Sequence, residues 1–148
     1  MRRSLLALSL TGSLAAAAAP AQVSQDWDEV YAWHYRPLVI FAPTGDRAAL
    51  EEQRAKLYGN EKAMEERDMV WVEVIGDNVR YVLSPQTGTD ADTLRERFDV
   101  SEEEFAVLLI GKDAGVKLRS PEPVTTDTVF ALIDSMPMRR QEMREQGR

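Results

Sequence analysis

The sequence predicts an α/β sandwich, in which helices flank both faces of a mixed β-sheet. Residues 37–41 and 105–110 form short, continuous apolar runs, which are typical of strands buried on both faces. Met69–Ile75 resembles these runs, and only Glu73 interrupts it. Helical patterns lie between the runs, so the predicted order is strand, helix, strand, helix, strand, strand, helix, which indicates the sandwich.

Capping and helix-breaking residues indicate where the predicted helices begin and end. They cover residues 46–57, 61–67, 89–98 and 125–136. Asp46 is the predicted N-cap of the first, which ends before Gly59, and either Thr89 or Asp90 opens the third. The fourth helix has the clearest pattern, because its apolar residues recur at the positions of one buried face, and Pro137 should kink or end it. These apolar residues are Val129, Leu132, Ile133 and Met136.

Two further strands are predicted after turns. The turn at residues 76–78 precedes a short strand over residues 79–83. The glycine-containing turn at residues 111–115 precedes a strand in which Val116 and Leu118 alternate with charged residues. This alternation predicts a hairpin partner with one solvated face, so the two apolar side chains should face the core.

The first 21 residues match a secretory signal peptide. A basic start is followed by an apolar stretch over residues 5–14 and small residues over 15–21, and we predict cleavage after Ala21, with a site before Pro20 as the alternative. A membrane anchor needs about 20 apolar residues, so we expect a cleaved signal, no later membrane span, and a periplasmic or secreted protein. The remaining divisions are an N-terminal lead-in at 22–34, a domain at 35–137 and a basic Met/Arg tail at 138–148.

Composition excludes several function classes. Cleavage after Ala21 leaves 16 basic and 25 acidic side chains, a net charge of −9, which repels phosphate backbones, so we expect no nucleic-acid partner. The chain has no cysteine, which excludes thiol oxidoreductase and peroxidase chemistry. We predict no cofactor. We predict no metal site either, because Asp90 and Asp92 lack the glycine and the closing glutamate of a calcium loop.

Several segments carry a family resemblance. They are residues 36–38, 41–43, 66–68, 94–100, 106–119 and 130–143. The segments at 94–100 and 106–116 resemble the second half of a thioredoxin-like domain, in which helix, loop, strand, glycine-containing hairpin and strand follow one another. The segments at 36–38, 41–43, 66–68, 110–119 and 130–143 resemble a bacterial domain-of-unknown-function family. The domain of that family is similar to domains of animal sushi-repeat and matrix-associated secreted proteins. The resemblance implies a single thioredoxin-like three-layer sandwich and an exported location, and it implies no reaction.

The chain departs from thioredoxin-like redox enzymes at both halves of their site. Those enzymes place a Cys-x-x-Cys turn at a helix N-terminus after the first strand and a cis-proline before a later strand. The corresponding residues here are 43–47 and 104–106. The resemblance therefore implies the scaffold without the redox activity.

The predicted helix N-terminus after the first strand is one candidate contact site. Thr44, Gly45, Asp46 and Arg47 offer backbone amides and a positive charge to a small anion. The preferred interpretation of the same residues is that Asp46 caps the helix and occupies those amides.

Basic residues near the C-terminus are the other candidate contacts for a ligand or partner. Lys112, Lys117 and Arg119 form a small basic patch on the final hairpin, although such charges also protect edge strands from aggregation. Arg139 and Arg140 lie among methionines, which adapt to irregular partner surfaces. The preferred interpretation of this segment is a last helix that folds back on the sheet, with partner docking as the alternative.

Two functions remain open. The preferred one is a non-catalytic thioredoxin-like module that binds a protein or another component of the cell envelope or extracellular space. The alternative is an enzyme or small-anion-binding protein with a non-thiol site, in which Asp46, Arg47, Asp68 or Lys112 lines a cleft. The only histidine, His34, has no nucleophilic partner to which the sequence points, so we predict no catalytic residue.

Overall fold

Five strands form one mixed sheet at the centre of the molecule. The structure is a computed structural model that describes residues 25–147, so the predicted signal peptide lies outside the described residues. The strands are β1 (Arg36–Ala42), β2 (Met69–Ile75), β3 (Asn78–Leu83), β4 (Ala106–Ile110) and β5 (Val116–Ser120). The helices are α1 (Trp27–Tyr31), α2 (Ala48–Leu57), α3 (Glu61–Glu65), α4 (Ala91–Phe98), α5 (Thr126–Ser135) and α6 (Pro137–Glu145).

The sheet has the strand order β3-β2-β1-β4-β5. β1 runs parallel to β2, with Arg36 opposite Met69, and antiparallel to β4, with Leu38 opposite Leu109. β3 and β5 pair antiparallel with β2 and β4 and form the two edges of the sheet. Helices on both faces complete three layers, so the predicted single-domain, thioredoxin-like α/β sandwich with a mixed sheet is confirmed.

Both faces of the sheet are covered by apolar packing. On one face Val39 and Phe41 of β1 belong to a core cluster with α1 and α4, and on the other Leu38 and Ile40 belong to a cluster with α2, α3 and α5. Successive side chains of a strand point to opposite faces, so a strand covered on both faces needs apolar residues at nearly every position. All seven residues of β1 are buried, which explains its continuous apolar run.

Glu73, the charged residue within β2, is fully buried. Arg54 of α2 donates to both of its carboxylate oxygens, at 2.8 and 2.6 Å, and Arg80 of β3 donates to one of them at 3.3 Å. The hydrogen bond to Glu73 raises the pKa of Arg54 above its usual value. Two guanidinium groups therefore satisfy this carboxylate, which makes it a structural residue.

The starts of the helices follow their capping residues. Asp90, one of the two residues predicted to open that helix, caps α4, and Thr125 caps α5. The predicted N-cap of α2 is wrong, because Arg47 occupies that position. Asp46 lies one residue earlier, and its Oδ1 accepts a hydrogen bond from the Ala48 amide at 3.0 Å. This aspartate therefore still occupies the first amide of the helix.

In the last third of the chain, the exposure of Val116 differs from the prediction, whereas the end of α5 at Pro137 agrees with it. Val116 is 49% exposed rather than buried. The register of β4 and β5 shifts between Leu109 and Ile110, and such a shift turns side chains to the other face of a strand. Pro137 ends α5, as predicted, and it also begins the separate helix α6, since proline is well suited to the first position of a helix.

The packed body of the domain extends beyond residues 35–137. Trp27 and Tyr31 of α1 are each 2% exposed and lie in the core, where the Trp27 ring meets that of Phe98 edge to face. α6 buries Arg139. The segments predicted as lead-in and tail therefore contribute integral helices. Within residues 25–147, no helix combines the length and apolar character needed to cross a bilayer.

Candidate binding site

Charged side chains meet at the end of the sheet where β1 and β2 begin. Arg36 is the first residue of β1, Asp68 directly precedes β2, and Lys112 follows the end of β4. Because β1 and β2 are parallel and β4 is antiparallel to β1, these three positions lie at the same end. We call the following residues the charged cluster: Arg36, Arg67, Asp68, Lys112, Asp134, Arg139 and Glu142.

Arg36 and Glu142 form the centre of the charged cluster. Nη2 of Arg36 donates to Oε1 of Glu142 at 3.0 Å, and Nη1 donates to Oε2 at 3.2 Å. Nη1 also donates to the backbone carbonyl of Arg67 at 2.9 Å. Arg36 is 1% exposed, so α6 supplies the carboxylate that neutralises a guanidinium buried at the start of β1.

Lys112 connects the loop before β2 to α6. Its Nζ donates to Asp68 and to Glu142, each at 2.8 Å, and its side chain is 11% exposed. Its carbonyl accepts a hydrogen bond from the amide of Trp33 at 2.6 Å. Lys112 is therefore fixed through both its backbone and its side chain.

Asp134 of α5 is shared by two arginines. Arg67 donates to both of its carboxylate oxygens, at 3.1 and 2.8 Å, and Nε of Arg139 lies 3.4 Å from Oδ1. The guanidinium of Arg67 also lies over the Phe130 ring, 4.4 Å from its centroid. Burial raises the pKa of Asp134, but the hydrogen bond and charge of Arg67 outweigh burial and lower the pKa below its usual value.

A cavity of about 440 Å³ opens beside the charged cluster, between the β4–β5 hairpin and the junction of α5 with α6. We call it the hairpin cavity. Its charged lining consists of Arg36, Lys112, Asp113 and Lys117, and its apolar lining consists of Met136, Pro137 and Met138. The hairpin and the start of α6, which the sequence offered as separate candidates, therefore face the same space.

Gly111 makes room for the Lys117 side chain in the hairpin cavity. A Cβ at residue 111 would collide with Cε of Lys117 and would lie 2.8 Å from Oδ1 of Asp113. Without that carbon, Lys117 passes over the turn and its Nζ donates to Asp113 at 2.7 Å. The Lys117 side chain is 33% exposed, so this ion pair remains partly open to solvent.

A second cavity, of about 520 Å³, borders the same Lys112–Asp68 ion pair. Its charged lining is acidic and consists of Glu61, Glu65 and Asp68. Asp68 lines this cavity while its partner Lys112 lines the hairpin cavity. The ion pair therefore stands between an acidic space and a basic one.

Glu142 makes the stability of the domain depend on pH. Burial raises its pKa, but hydrogen bonds from Arg36 and Lys112 and their charges outweigh burial and lower the pKa from 4.5 to about 2. Folding therefore favours the ionised carboxylate. The stability it contributes is complete above the unfolded pKa of 4.5 and is lost as the pH falls through 2.

We expect protonation of the Glu142 carboxylate to lower the free energy of unfolding by about 3 kcal/mol as the pH falls from about 6 to 2. Urea unfolding at a series of pH values measures the loss. The contribution of Glu142 is the extra loss relative to Glu142→Gln, which cannot titrate. If the two proteins lose stability in parallel over this range, the assignment to Glu142 is wrong.

The charged cluster joins residues from nearly the whole described chain, from Arg36 to Glu142. A family model described as "Domain of unknown function (DUF4174)" matches residues 29–142. The chain belongs to this family. Every residue of the charged cluster and of the hairpin cavity lies within the DUF4174 match, whereas Trp27 of α1 precedes it.

This DUF4174 domain is similar to part of a much longer animal protein. Coiled-coil domain-containing protein 80 of Danio rerio is 30% identical to it over 130 residues. The alignment covers 76% of this chain but 15% of that relative. The chain therefore spans a small share of the curated protein it matches. None of the solved structures gives a significant match.

The predicted anion site at the start of α2 lies at the opposite end of the sheet from the charged cluster. Thr44, Gly45, Asp46 and Arg47 follow the end of β1, and all four are exposed. Asp46 occupies the Ala48 amide, which an anion would otherwise use. The structure therefore does not bring these four residues together with the hairpin cavity.

The predicted basic residues separate into different environments. Lys112 and Lys117 line the hairpin cavity, and Arg139 is buried in the charged cluster. Arg119 instead donates, at 2.6 Å, to two backbone carbonyls at the end of α4, so it stabilises that helix end. Arg140 is exposed on α6.

Sequence reasoning did not single out Arg36, Arg67, Asp134 or Glu142 as site residues. The sequence does contain one indication of this site, because Arg36 directly precedes an apolar run. A charged residue beside a buried strand needs a partner of opposite charge. The partner lies 106 residues later in the chain. No local pattern connects positions so far apart.

Three exposed carboxylates also lie close together outside the charged cluster. The ligand oxygens of Asp77, Asp92 and Glu102 lie within 4.8 Å of one another. Hard cations prefer such oxygens. Exposed acids often approach each other on a protein with 25 acidic residues, however, and no second observation among the described residues points to an ion there.

Proposed function

We propose that this DUF4174 domain is an exported, redox-inactive binding module of the periplasm or extracellular space. The absence of cysteine removes the thiol on which redox proteins with a thioredoxin-like fold depend. The observation that carries the proposal is the hairpin cavity, in which basic side chains and methionines face one space of about 440 Å³. Apolar walls with a few placed polar groups are typical of ligand sites of this size.

The alternative, an enzyme with a non-thiol site, has weaker support because its candidate residues lie apart. Asp46 and Arg47 follow β1, whereas Asp68 precedes β2 and Lys112 follows β4. A strand of seven residues is roughly 20 Å long, so the first two residues are separated from the other two by the length of the sheet. Lys112 is also held by two carboxylates. This separation supports binding over catalysis.

The proposed occupant is a protein or another component of the envelope or extracellular space. The three-part pattern of the first 21 residues supports export. The family resemblance of residues 36–38, 66–68 and 130–143 supports the same compartment. On the same resemblance we propose that this domain is one of the bacterial members of the family. We also propose that it is related to domains of animal sushi-repeat and matrix-associated secreted proteins.

Photo-crosslinking in living cells tests binding and export together. Met138 lines the hairpin cavity and is 38% exposed, so a photoreactive residue at this position contacts whatever enters. We expect one reproducible adduct, carried by the form that lacks residues 1–21. Intact-mass spectrometry of the envelope and culture-medium fractions measures both the adduct and the missing residues.

Two matched variants control this experiment. The same photoreactive residue at Glu103, which is exposed in the turn after α4, should give no such adduct. Lys117→Glu reverses one charge of the cavity lining and should remove the adduct at position 138. Equal adducts at positions 103 and 138 would contradict the proposed site. Protein that is found in the cytoplasm with residues 1–21 still attached would contradict export.

A further inference from the structure

We propose that the hairpin cavity binds a small monocarboxylate that carries an apolar chain. This inference rests on the proposed binding function and names the class of its ligand. It follows from three properties of the cavity, which are the charge of its polar lining, the unused hydrogen-bonding capacity of a buried arginine, and the chemistry of its apolar wall.

The charged lining of the hairpin cavity selects an anion. Three of its four charged residues are cations, and the single acid, Asp113, is paired with Lys117 at 2.7 Å. A basic space is unusual on a chain with 25 acidic and 18 basic side chains. Each of these cations has a carboxylate partner, so what the lining offers an anion is N–H donors on a surface that is otherwise acidic.

Arg36, in the lining of the hairpin cavity, supplies an independent observation. Its side chain is 1% exposed, yet its Nε has no hydrogen-bond partner. A buried, unpaired N–H of a charged group is costly. Glu142 also accepts hydrogen bonds from both Arg36 and Lys112, so one carboxylate serves two of the cavity's cations. Asp68 is the second acceptor of Lys112, so the polar group that stays unmet among these cations is Nε of Arg36.

Lys117 is the cation best placed to meet a ligand. Its side chain is 33% exposed, and its partner Asp113 is 41% exposed, so water can solvate Asp113 when Lys117 turns away from it. Arg36 and Lys112, by contrast, are held by Glu142 inside the domain. One exchangeable lysine matches one negative charge, which favours a carboxylate over a phosphate dianion.

The apolar wall of the hairpin cavity requires more than a charged head. Met136, Pro137 and Met138 line the side opposite the hairpin. Methionine side chains are flexible and polarizable, so they fit chains of different shape. A bare inorganic anion would leave this wall in contact with water, whereas a chain of several carbons buries it, and a volume of about 440 Å³ accommodates such a chain.

Titration of the purified protein with octanoate tests the proposal, with binding measured by isothermal calorimetry. We expect saturable binding that is about tenfold weaker in Lys117→Gln, since the variant loses one charge-assisted hydrogen bond. Lys56→Gln is the matched control, because Lys56 is 31% exposed and also forms an i,i+4 ion pair, with Glu52, on α2. Octanol, which lacks the charge, and acetate, which lacks the chain, should each bind at least about tenfold more weakly than octanoate.

Three results would overturn the ligand class: no saturable binding of octanoate, equal binding to Lys117→Gln and Lys56→Gln, or equal binding of octanol. The crosslinking experiment separates this failure from failure of the binding function. A defined adduct at position 138 without octanoate binding overturns the carboxylate proposal alone. Absence of both results overturns the carboxylate proposal together with the binding site.

Discussion

Replacing Glu142 with glutamine is expected to lower the free energy of unfolding by about 3 kcal/mol. The substitution keeps the size of the side chain but removes its negative charge. That charge neutralises Arg36, which is 1% exposed, and also pairs with Lys112. Removing one partner of a buried ion pair leaves an uncompensated charge, and this is strongly destabilising. The lowered pKa of Glu142, from 4.5 to about 2, corresponds to a similar loss, because one pKa unit is worth about 1.4 kcal/mol.

Urea unfolding at pH 7, followed by circular dichroism, measures this effect. Glu145→Gln is the matched control, because Glu145 lies one turn later on α6, is exposed, and accepts a hydrogen bond from Gln141 on the same helix. Its change should stay within about 0.5 kcal/mol. If the two variants are equally stable, Glu142 does not hold α6 to the sheet as the structure describes.

Replacing Trp27 with alanine is expected to lower the free energy of unfolding by about 3–5 kcal/mol. The Trp27 side chain is 2% exposed and meets Tyr31 and Phe98 edge to face, with ring centroids 4.5 and 6.0 Å away. Alanine removes these contacts and leaves a cavity that the surrounding helices cannot fully close. Such a loss is a large part of the stability of a domain of this size.

Trp33→Ala is the matched control for this prediction. Trp33 lies six residues further along the chain and is 68% exposed, so its replacement should change the free energy of unfolding by no more than about 0.5 kcal/mol. Circular dichroism is the appropriate probe, since both substitutions alter tryptophan fluorescence. Similar stabilities for the two variants would mean that α1 is not part of the cooperative core.

The strands were predictable because their signal is local. A strand buried on both faces requires a run of apolar residues, and Met69–Ile75 was predicted with the bounds that the structure gives. The side-chain direction of Val116 was not predictable, because it depends on how β5 registers with β4. The cap of α2 was misplaced for a similar reason, since Asp46 and Arg47 differ by one residue and the backbone decides which one occupies the cap.

The candidate site was only partly predictable. Lys112 and Lys117 were identified as basic residues of a hairpin, but the sequence does not reveal that Met138 faces the same space. Arg139 was named as a candidate partner contact in a segment that was also predicted to fold back on the sheet as a last helix, and it is buried beside Asp134 in that helix. In both cases the decisive contact joins separate elements, and its formation depends on the completed fold rather than on neighbouring residues.

The pairing of Arg36 with Glu142 has a consequence for the order in which the chain acquires its final form. The two residues are separated by 106 positions, so Arg36 is synthesised well before the carboxylate that neutralises it. Enclosing it earlier would leave a lone charge in a poorly solvated place. This end of the sheet therefore acquires its full set of ion pairs only after α6 has been synthesised and has packed against it.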